Sequence, residues 1–511
     1  MTLKEKVLQT FVVTIREINT HGGPQKFFKK YPVGGMYYGD LNILCDENGL
    51  EIGTQLTHEK LTECKKYSQI PLFVCADETK LKNQEENMSS ASMLASENEE
   101  DAYNFGKIQG MQMNESGIDW ILQPATDFIG IDHKPFCGVT NDYKLATKCF
   151  AKAVDGIQDQ GVCATVKHFP GLGASTINMH FAPGRNELSF DEWMESYGFM
   201  YKEMIKHDTQ CIMTTHISLK SYDNEYHDGF CPIATFSHKL TTELLKEKLG
   251  FKGAVVTDAL IMGGMATGDL IKETVQAFKA GADVLLWPPV EAADEIVRQL
   301  ESGEIPMSRL DDALSRIERV KNFRKNALEK NIPQKADVKL ADEEMRLMTK
   351  RGLCLYKNDL GLIPLKKDVK KFLIVDISEG SGAAEMLRDE LIQRGYVAKI
   401  KNDIYDVPSR VCWQKDIDKI QDEYDMVIFS VNVAYENSWG VPFMKVWASH
   451  LFSKSKKIII NYSSSFMIKD FFPDDPTIID VNACPRKSVI KYIVDGLEGK
   501  MEFKGKFLLR H

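Results

Sequence analysis

The sequence predicts an α/β protein in two parts, a (β/α) barrel followed by a second α/β domain, and three observations predict it. Apolar runs of strand length alternate with helical spacings over roughly 300 residues, the pattern of parallel strands joined by crossover helices. Those runs end in ionisable residues: Asp77, Asp127, Lys167 with His168, His216 and Asp258. In a parallel barrel the C-terminal strand ends and the loops after them form one mouth, so these residues would share it. Finally, a charged stretch containing Pro333 separates this pattern from another run of alternating strands and helices.

The elements follow in order. Leu3 to Gln9 has helical spacing, and Val33 to Tyr38 reads as a short strand. Pro71 to Ala76 is a strand ending in Asp77-Glu78. Residues 81–101, rich in Ser, Glu and Asn, read as a loop or a solvated helix start before a helix over Ala102 to Asn114. Ile118 to Ala125 is a strand leading to Asp127, and a helix over Tyr143 to Gln158 follows. The apolar run Val162 to Val166 then enters Lys167-His168-Phe169-Pro170-Gly171-Leu172-Gly173 and a polar segment to His180. Gln210 to Thr215 ends in His216, Gly253 to Thr257 in Asp258, and Ala282 to Trp287 follows a helix stopped by Gly281. Seven strands are legible, and an eighth is not.

A helix over Ser308 to Phe323, with Leu310, Ala313, Ile317 and Val320 at helical spacing under a Ser cap, closes the barrel. The barrel is therefore expected over 1–323, a linker over 324–339 and an α/β sandwich domain over 340–511. Strands of the second domain are readable at Phe372 to Val375, Met426 to Ser430, Ile458 to Ile460 and Ile478 to Val481. Glu379-Gly380-Ser381-Gly382 lacks the full dinucleotide fingerprint and reads as an ordinary βα-turn.

Composition narrows the function classes. The chain has 43% hydrophobic and 27% charged residues, an ordinary globular balance. Its net charge of −9 (64 basic against 73 acidic) and the lack of a Lys/Arg tract argue against a nucleic-acid partner. Met1 to Lys6 lacks the pattern of a secretory signal, and no run approaches the roughly 18 apolar residues of a membrane span, so a cytoplasmic address and no membrane partner are expected. The 11 cysteines are scattered without a Cys-x-x-Cys pair, which predicts reduced thiols. No metal cluster is readable, and no cofactor is expected.

Asp258, flanked by the uncharged Thr257 and Ala259, suits a nucleophile for an acetal carbon. Retaining glycoside cleavage needs such a carboxylate and a second group that protonates the leaving oxygen and later deprotonates water. Lys167 alone would also suit a Schiff-base lyase, a reading that the adjacent His168 counts against.

Gly161 to Gly173, the strand ending in Thr257-Asp258-Ala259-Leu260 with Met262 after it, and Ala280-Gly281-Ala282-Asp283 together resemble glycoside hydrolase family 3. Lys-His-Phe-Pro-Gly is closer to its β-N-acetylglucosaminidase branch than to its β-glucosidase branch. Leu3 to Val7 resembles the family's opening helix, and Leu355 to Asn358 with Leu362 to Leu365 resembles the start of its C-terminal domain. The resemblance implies a TIM-like (β/α)8 barrel with Asp258 as the nucleophile of a retaining exo-β-glycosidase. Lys167, His168, Asp77 and Asp127 would bind sugar hydroxyls, with His216, Lys134 and Met262 in the same substrate site. The acid/base in this branch is a His on the loop after Lys-His, and His180 falls at that place.

The sequence also departs from the family. The Asp that would pair with His180 is Asn178, the Arg expected before Ser-Phe-Gly is Lys134, Leu172 stands where a second His is common, and Asp77 leads into Glu78-Thr79-Lys80-Leu81. Asn orients an imidazole but brings no charge. An acid/base from the C-terminal domain, as in the β-glucosidase branch, would be Glu436. Three outcomes follow: a β-glycosidase acting on a small carbohydrate, a phosphorylase using phosphate in place of water, or a sugar-binding protein without turnover. A monomer or homodimer is expected.

Overall fold

Eight short, mostly apolar runs form the first sheet in the computed structural model, which describes residues 1–38, 54–78, 80–81, 84–128, 138–225, 232–265, 267–378, 380–401, 410–433 and 441–509. They are β1 (Phe11–Thr14), β2 (Gly35–Tyr37), β3 (Phe73–Ala76), β4 (Trp120–Ile121), β5 (Cys163–Phe169), β6 (Cys211–Thr214), β7 (Ala254–Thr257) and β8 (Leu285–Leu286). Every pairing among them is parallel, and β1 joins β8 with Phe11 opposite Leu285. A bridge between Val256 and Val284 closes the ring. The strand missing from the sequence reading is β1. Only two residues separate it from the helix Leu3–Leu8, whose apolar positions run into Phe11-Val12-Val13 and hide the change of period.

The barrel interior is filled by Val12, Tyr37, Cys75, Trp120, Cys163, Cys211, Met213, Val256 and Leu286, so it is a packed core. The last helix of this unit, Met307–Glu329, runs past the boundary expected at 323. Arg324 explains the extension. Buried, it donates Nε to Asp119 Oδ1 (3.2 Å) and Nη1 to Asn114 Oδ1 (2.7 Å) and Gly161 O (3.1 Å), which ties those helical turns to the barrel.

The chain divides into two units, residues 1–84 with 102–341, and residues 85–101 with 342–511. Of the polar segment 81–101, expected as a loop or a solvated helix start, residues 85–101 carry the helix Ser90–Ser96 and fold with the second unit. Its serines serve that packing: the hydroxyls of Ser89 and Ser92 donate to Asn482 O at 2.6 and 2.8 Å. Asp101 takes a two-point ion pair from Arg351.

The second unit holds a six-stranded sheet of β9 (Cys354–Asn358), β10 (Lys371–Ser378), β11 (Val397–Lys401), β12 (Met426–Asn432), β13 (Lys457–Asn461) and β14 (Thr477–Asp480), in the order β9-β14-β13-β12-β10-β11. Only β9 runs antiparallel, at one edge. One face buries Phe372, Ile374, Ile428 and Ile460 against Leu387 and Ile493. The other buries Val375, Val427, Phe429 and Ile459 against Met467 and Phe472. Helices thus cover both faces, the arrangement expected for an α/β sandwich.

Candidate active site

Strand β7 delivers Asp258 to the C-terminal end of the barrel. Its own N–H donates to Thr214 O at 2.8 Å, which continues the β6 ladder one residue beyond the strand and fixes the Cα. The carboxylate is buried, 5% exposed, and receives two donors: Thr215 Oγ1 on Oδ2 at 2.8 Å and the Ala259 N–H on Oδ1 at 2.9 Å. Burial by itself would raise its pKa. The imidazoles of His168 and His216, the Thr215 hydroxyl and the Ala259 N–H outweigh burial and hold the group below the usual carboxylate range. Burial also lowers His216, so that ring is uncharged at neutral pH and its attraction is fullest in acid.

Strand β5 is buried at all seven positions and carries both Lys167 and His168 at its end. Lys167 Nζ meets Asp77 Oδ1 at 2.5 Å, and Tyr37 donates its hydroxyl to Asp77 Oδ2 at 2.8 Å. The Asp77 side chain is 42% exposed, so this charge-assisted group faces solvent with lone pairs and N–H bonds suited to sugar hydroxyls. Trp287, at the end of β8, packs edge-on against Tyr37 with ring centroids 5.1 Å apart. Its φ of +63° is unusual for a bulky residue and is held by its N–H donating to Val12 O at 2.8 Å.

Asp127 organises the loop after β5. Oδ2 accepts from His168 Nδ1 (2.7 Å) and the His168 N–H (3.2 Å), while Oδ1 accepts from the N–H groups of Leu172 (2.7 Å) and Gly173 (3.3 Å). His168 therefore carries its proton on Nδ1 and presents Nε2. The loop also needs Gly171, at φ +118°, because a Cβ there would lie 2.5 Å from the Tyr197 ring.

Further along, Asn178 Oδ1 accepts from both the His180 N–H (3.0 Å) and His180 Nδ1 (2.9 Å). Since the backbone N–H can only donate, the shared atom is the amide oxygen, and Nδ1 must carry a proton. Of the two ring nitrogens, Nε2 is then the one not engaged by Asn178. The loop rests on an apolar seat of Leu172, Met179, Ile217 and Met262, and Gly263 donates its N–H to His180 O at 2.9 Å.

The geometry redistributes the roles expected from sequence. His216 is fully buried, with Nδ1 on Thr235 Oγ1 (2.9 Å) and Nε2 on Ala259 O (3.1 Å), so it supports the residue after Asp258 and presents neither nitrogen to a sugar. Asp127, 1% exposed, is occupied by the loop it clamps, and Met262 seats the His180 loop. Lys134 and Glu436 lie outside the described residues. Sequence reasoning missed Thr215, Tyr37 and Trp287. Each stands at a strand end, the position that drew attention to the ionisable residues, but none carries a formal charge. Among the described residues no group of three or more His, Cys, Asp or Glu is placed to hold a metal ion.

The comparisons with known proteins agree with this architecture. The family model described as the glycosyl hydrolase family 3 N-terminal domain matches residues 2–320. A beta-N-acetylglucosaminidase/beta-glucosidase from Cellulomonas fimi is 24% identical over 433 residues, covering 78% of this chain and 75% of that protein. Beta-hexosaminidase A from Pseudoalteromonas piscicida is 24% identical over 327 residues, covering 58% and 54%. Among solved structures, a family 3 beta-N-acetylglucosaminidase from Paenibacillus sp. str. FPU-7 aligns with a TM-score of 0.79 at 21% identity, covering 100% of this chain and 99% of that one. The beta-glucoside phosphorylase BglX aligns with a TM-score of 0.82 at 20% identity, covering 100% and 94%. With the family model matched over most of its length, the chain belongs to glycosyl hydrolase family 3, whose members act on O-glycosyl bonds.

Proposed function

We propose that the protein is a retaining exo-β-glycosidase that removes terminal β-linked sugars, β-N-acetylglucosaminides first among them, through a covalent intermediate on Asp258. The observation that carries this reading is a carboxylate that is buried and yet held below the usual carboxylate range. A nucleophile must be ionised and poorly solvated at once, and Asp258 meets both conditions.

In the first step a carboxylate oxygen of Asp258 bonds to the anomeric carbon as the bond to the leaving oxygen breaks, and His180 Nε2–H gives that oxygen its proton. In the second step His180 Nε2 takes a proton from water, the water oxygen bonds to the anomeric carbon, and Asp258 leaves as carboxylate. Lys167 and Asp77 hold hydroxyls of the sugar between these groups. The names of the relatives from Cellulomonas fimi and Pseudoalteromonas piscicida support N-acetylhexosaminides as the first substrates to try.

A second reading, phosphorolysis, is favoured by one feature: the residue bonded to His180 Nδ1 is the uncharged Asn178. An acid/base without a carboxylate partner does not repel phosphate, so phosphate could replace water in the second step.

The test is intact-protein mass after incubation with 2-deoxy-2-fluoro glycosides of several sugars, with peptide mapping and parallel assays on 2-acetamido aryl glycosides. An adduct on the Asp258 peptide is the expected result, and neither adduct nor turnover with any sugar would return the protein to the sugar-binding class. Sugar 1-phosphate formed in phosphate buffer would select the second reading. His180→Ala is expected to slow glycosides with basic leaving groups by about 10²- to 10⁴-fold and activated aryl glycosides far less; equal losses on both would remove His180 as the acid.

A further inference from the structure

The position of His180 determines where the leaving half of the substrate lies, and two strongly exposed apolar side chains stand on the loops that meet there. Proton transfer to the glycosidic oxygen needs a heavy-atom separation of about 2.6–3.2 Å. The first atoms of the aglycone therefore lie beside the His180 ring. Phe181 follows His180 in the chain and is 80% exposed; Ile261, on the loop after Asp258, is 58% exposed. Apart from the first residue, Met1, these are the two most exposed large apolar side chains among the described residues.

Their loops are joined rather than loosely adjacent. Besides the hydrogen bond from the Gly263 N–H to His180 O, a Cβ at position 263 would stand 2.9 Å from the carbonyl oxygens of both His180 and Phe181. The contact depends on the absence of a side chain there. The buried cluster of Leu172, Met179 and Ile217, with Met262 packed against it, includes neither Phe181 nor Ile261. Apolar surface kept in water on hydrogen-bonded loops at a site mouth is surface left for a ligand.

We infer that Phe181 and Ile261 form an apolar lip that binds the aglycone, and that the preferred substrates carry an aromatic or alkyl group on the leaving side rather than another sugar. This rests on the glycosidase reading and on the role of His180 within it. A sugar in that place would need hydroxyl partners, which neither side chain supplies, and Ile261 has no aromatic face for a pyranose to stack on.

The experiment compares kcat/KM of the wild type, Phe181→Ser, Ile261→Ser and Phe181→Leu on an aryl glycoside, an n-octyl glycoside and a disaccharide that share one non-reducing sugar. Each Ser variant is expected to lose about 5- to 10-fold on the aryl and octyl substrates. The loss on the disaccharide is expected to be at most about twofold, and Phe181→Leu to recover most of the octyl rate. Turnover of the glycosyl-enzyme, which no longer holds the aglycone, should not distinguish the variants. An unchanged aryl-to-disaccharide ratio would remove the lip and leave the glycosidase reading standing. No turnover of any glycoside by the wild type would end that reading and the lip with it.

Discussion

Asp258 and Asp480 both stand at C-terminal ends of parallel strands, both are buried, and each receives two hydrogen bonds. Their acidities are opposite. Asp480, the last residue of β14, takes Ser465 Oγ on Oδ2 at 2.6 Å and Asn461 Nδ2 on Oδ1 at 2.9 Å, and burial pushes it up to about 6. Asp258 takes a hydroxyl and a backbone N–H at similar distances and is held below the usual range. The number of donors therefore does not separate them. What differs is the surroundings: two imidazoles stand near Asp258, whereas Asp480 is held by a neutral hydroxyl and a neutral amide. A carboxylate buried at a strand end stays acidic only where groups that favour its ionised form are gathered around it, as the two imidazoles, the Thr215 hydroxyl and the Ala259 N–H are around Asp258.

The largest expected effect tests which carboxylate does chemistry. Asp258→Asn keeps the shape and the Thr215 contact but removes the charge, and should lower kcat/KM by about 10⁴-fold or more while the far-UV CD spectrum and melting profile stay those of a folded protein. Asp480→Asn should change turnover by less than about twofold. A wild-type rate in the first variant, or a comparable collapse in the second, would break the comparison.

A smaller effect, in stability, has the opposite sign to the usual carboxylate. Because the folded-state pKa of Asp480 is raised, the folded protein binds the proton more tightly than the unfolded chain does. Its contribution is fully present below about pH 4 and is lost as pH rises through about 6. At neutral pH the ionised, buried group should therefore cost about 1–3 kcal/mol. Asp480→Asn, in which the amide can still meet both Ser465 and Asn461, is expected to gain stability over the wild type at about pH 7.5 relative to about pH 4.5. Urea unfolding at both pH values measures it, and a difference that does not depend on pH would show that Asp480 does not titrate as its burial implies.

The sequence made one of these carboxylates legible and left the other unremarked, for a physical reason. Asp258 ends an apolar run and shares that feature with Asp77, Asp127, Lys167, His168 and His216, so a pattern across the chain exposed it. Asp480 lies inside Ile478-Ile479-Asp480-Val481, where only three-dimensional packing reveals that its partners are neutral. The same limit explains the other differences. β1 was hidden because a helix ran into it, and β9 and β11 because edge strands are partly exposed and alternate weakly; segment 81–101 stayed open between a loop and a solvated helix start because its serines look solvated until Asn482 O is seen beneath them. Roles shifted where a side chain's partners are distant in sequence: His216 and Asp127 are ionisable strand-end residues whose hydrogen bonds are taken up inside the protein. Thr215, which the charge pattern could not mark, touches the Asp258 carboxylate directly.

Thr215 gives the finest test of the comparison. If the acidity of Asp258 depends on what surrounds it, removing one donor should move it part of the way toward Asp480. Thr215→Val is nearly isosteric, so it withdraws the hydroxyl without opening a cavity and leaves the Ala259 N–H and both imidazoles in place. A hydrogen bond to a charged group contributes about 1.5–3 kcal/mol, and part of that falls on the ionised ground state, so the expected loss in kcat/KM near neutral pH is about tenfold. The pH profile carries the decisive part. Asp258 must be ionised to attack, and with its pKa released upward toward the value burial favours, the acid limb of kcat/KM should move to higher pH and the loss should grow as pH falls. A loss equal at every pH would mean that Thr215 only fills space, and that the imidazoles and the backbone N–H alone set the difference between the two carboxylates.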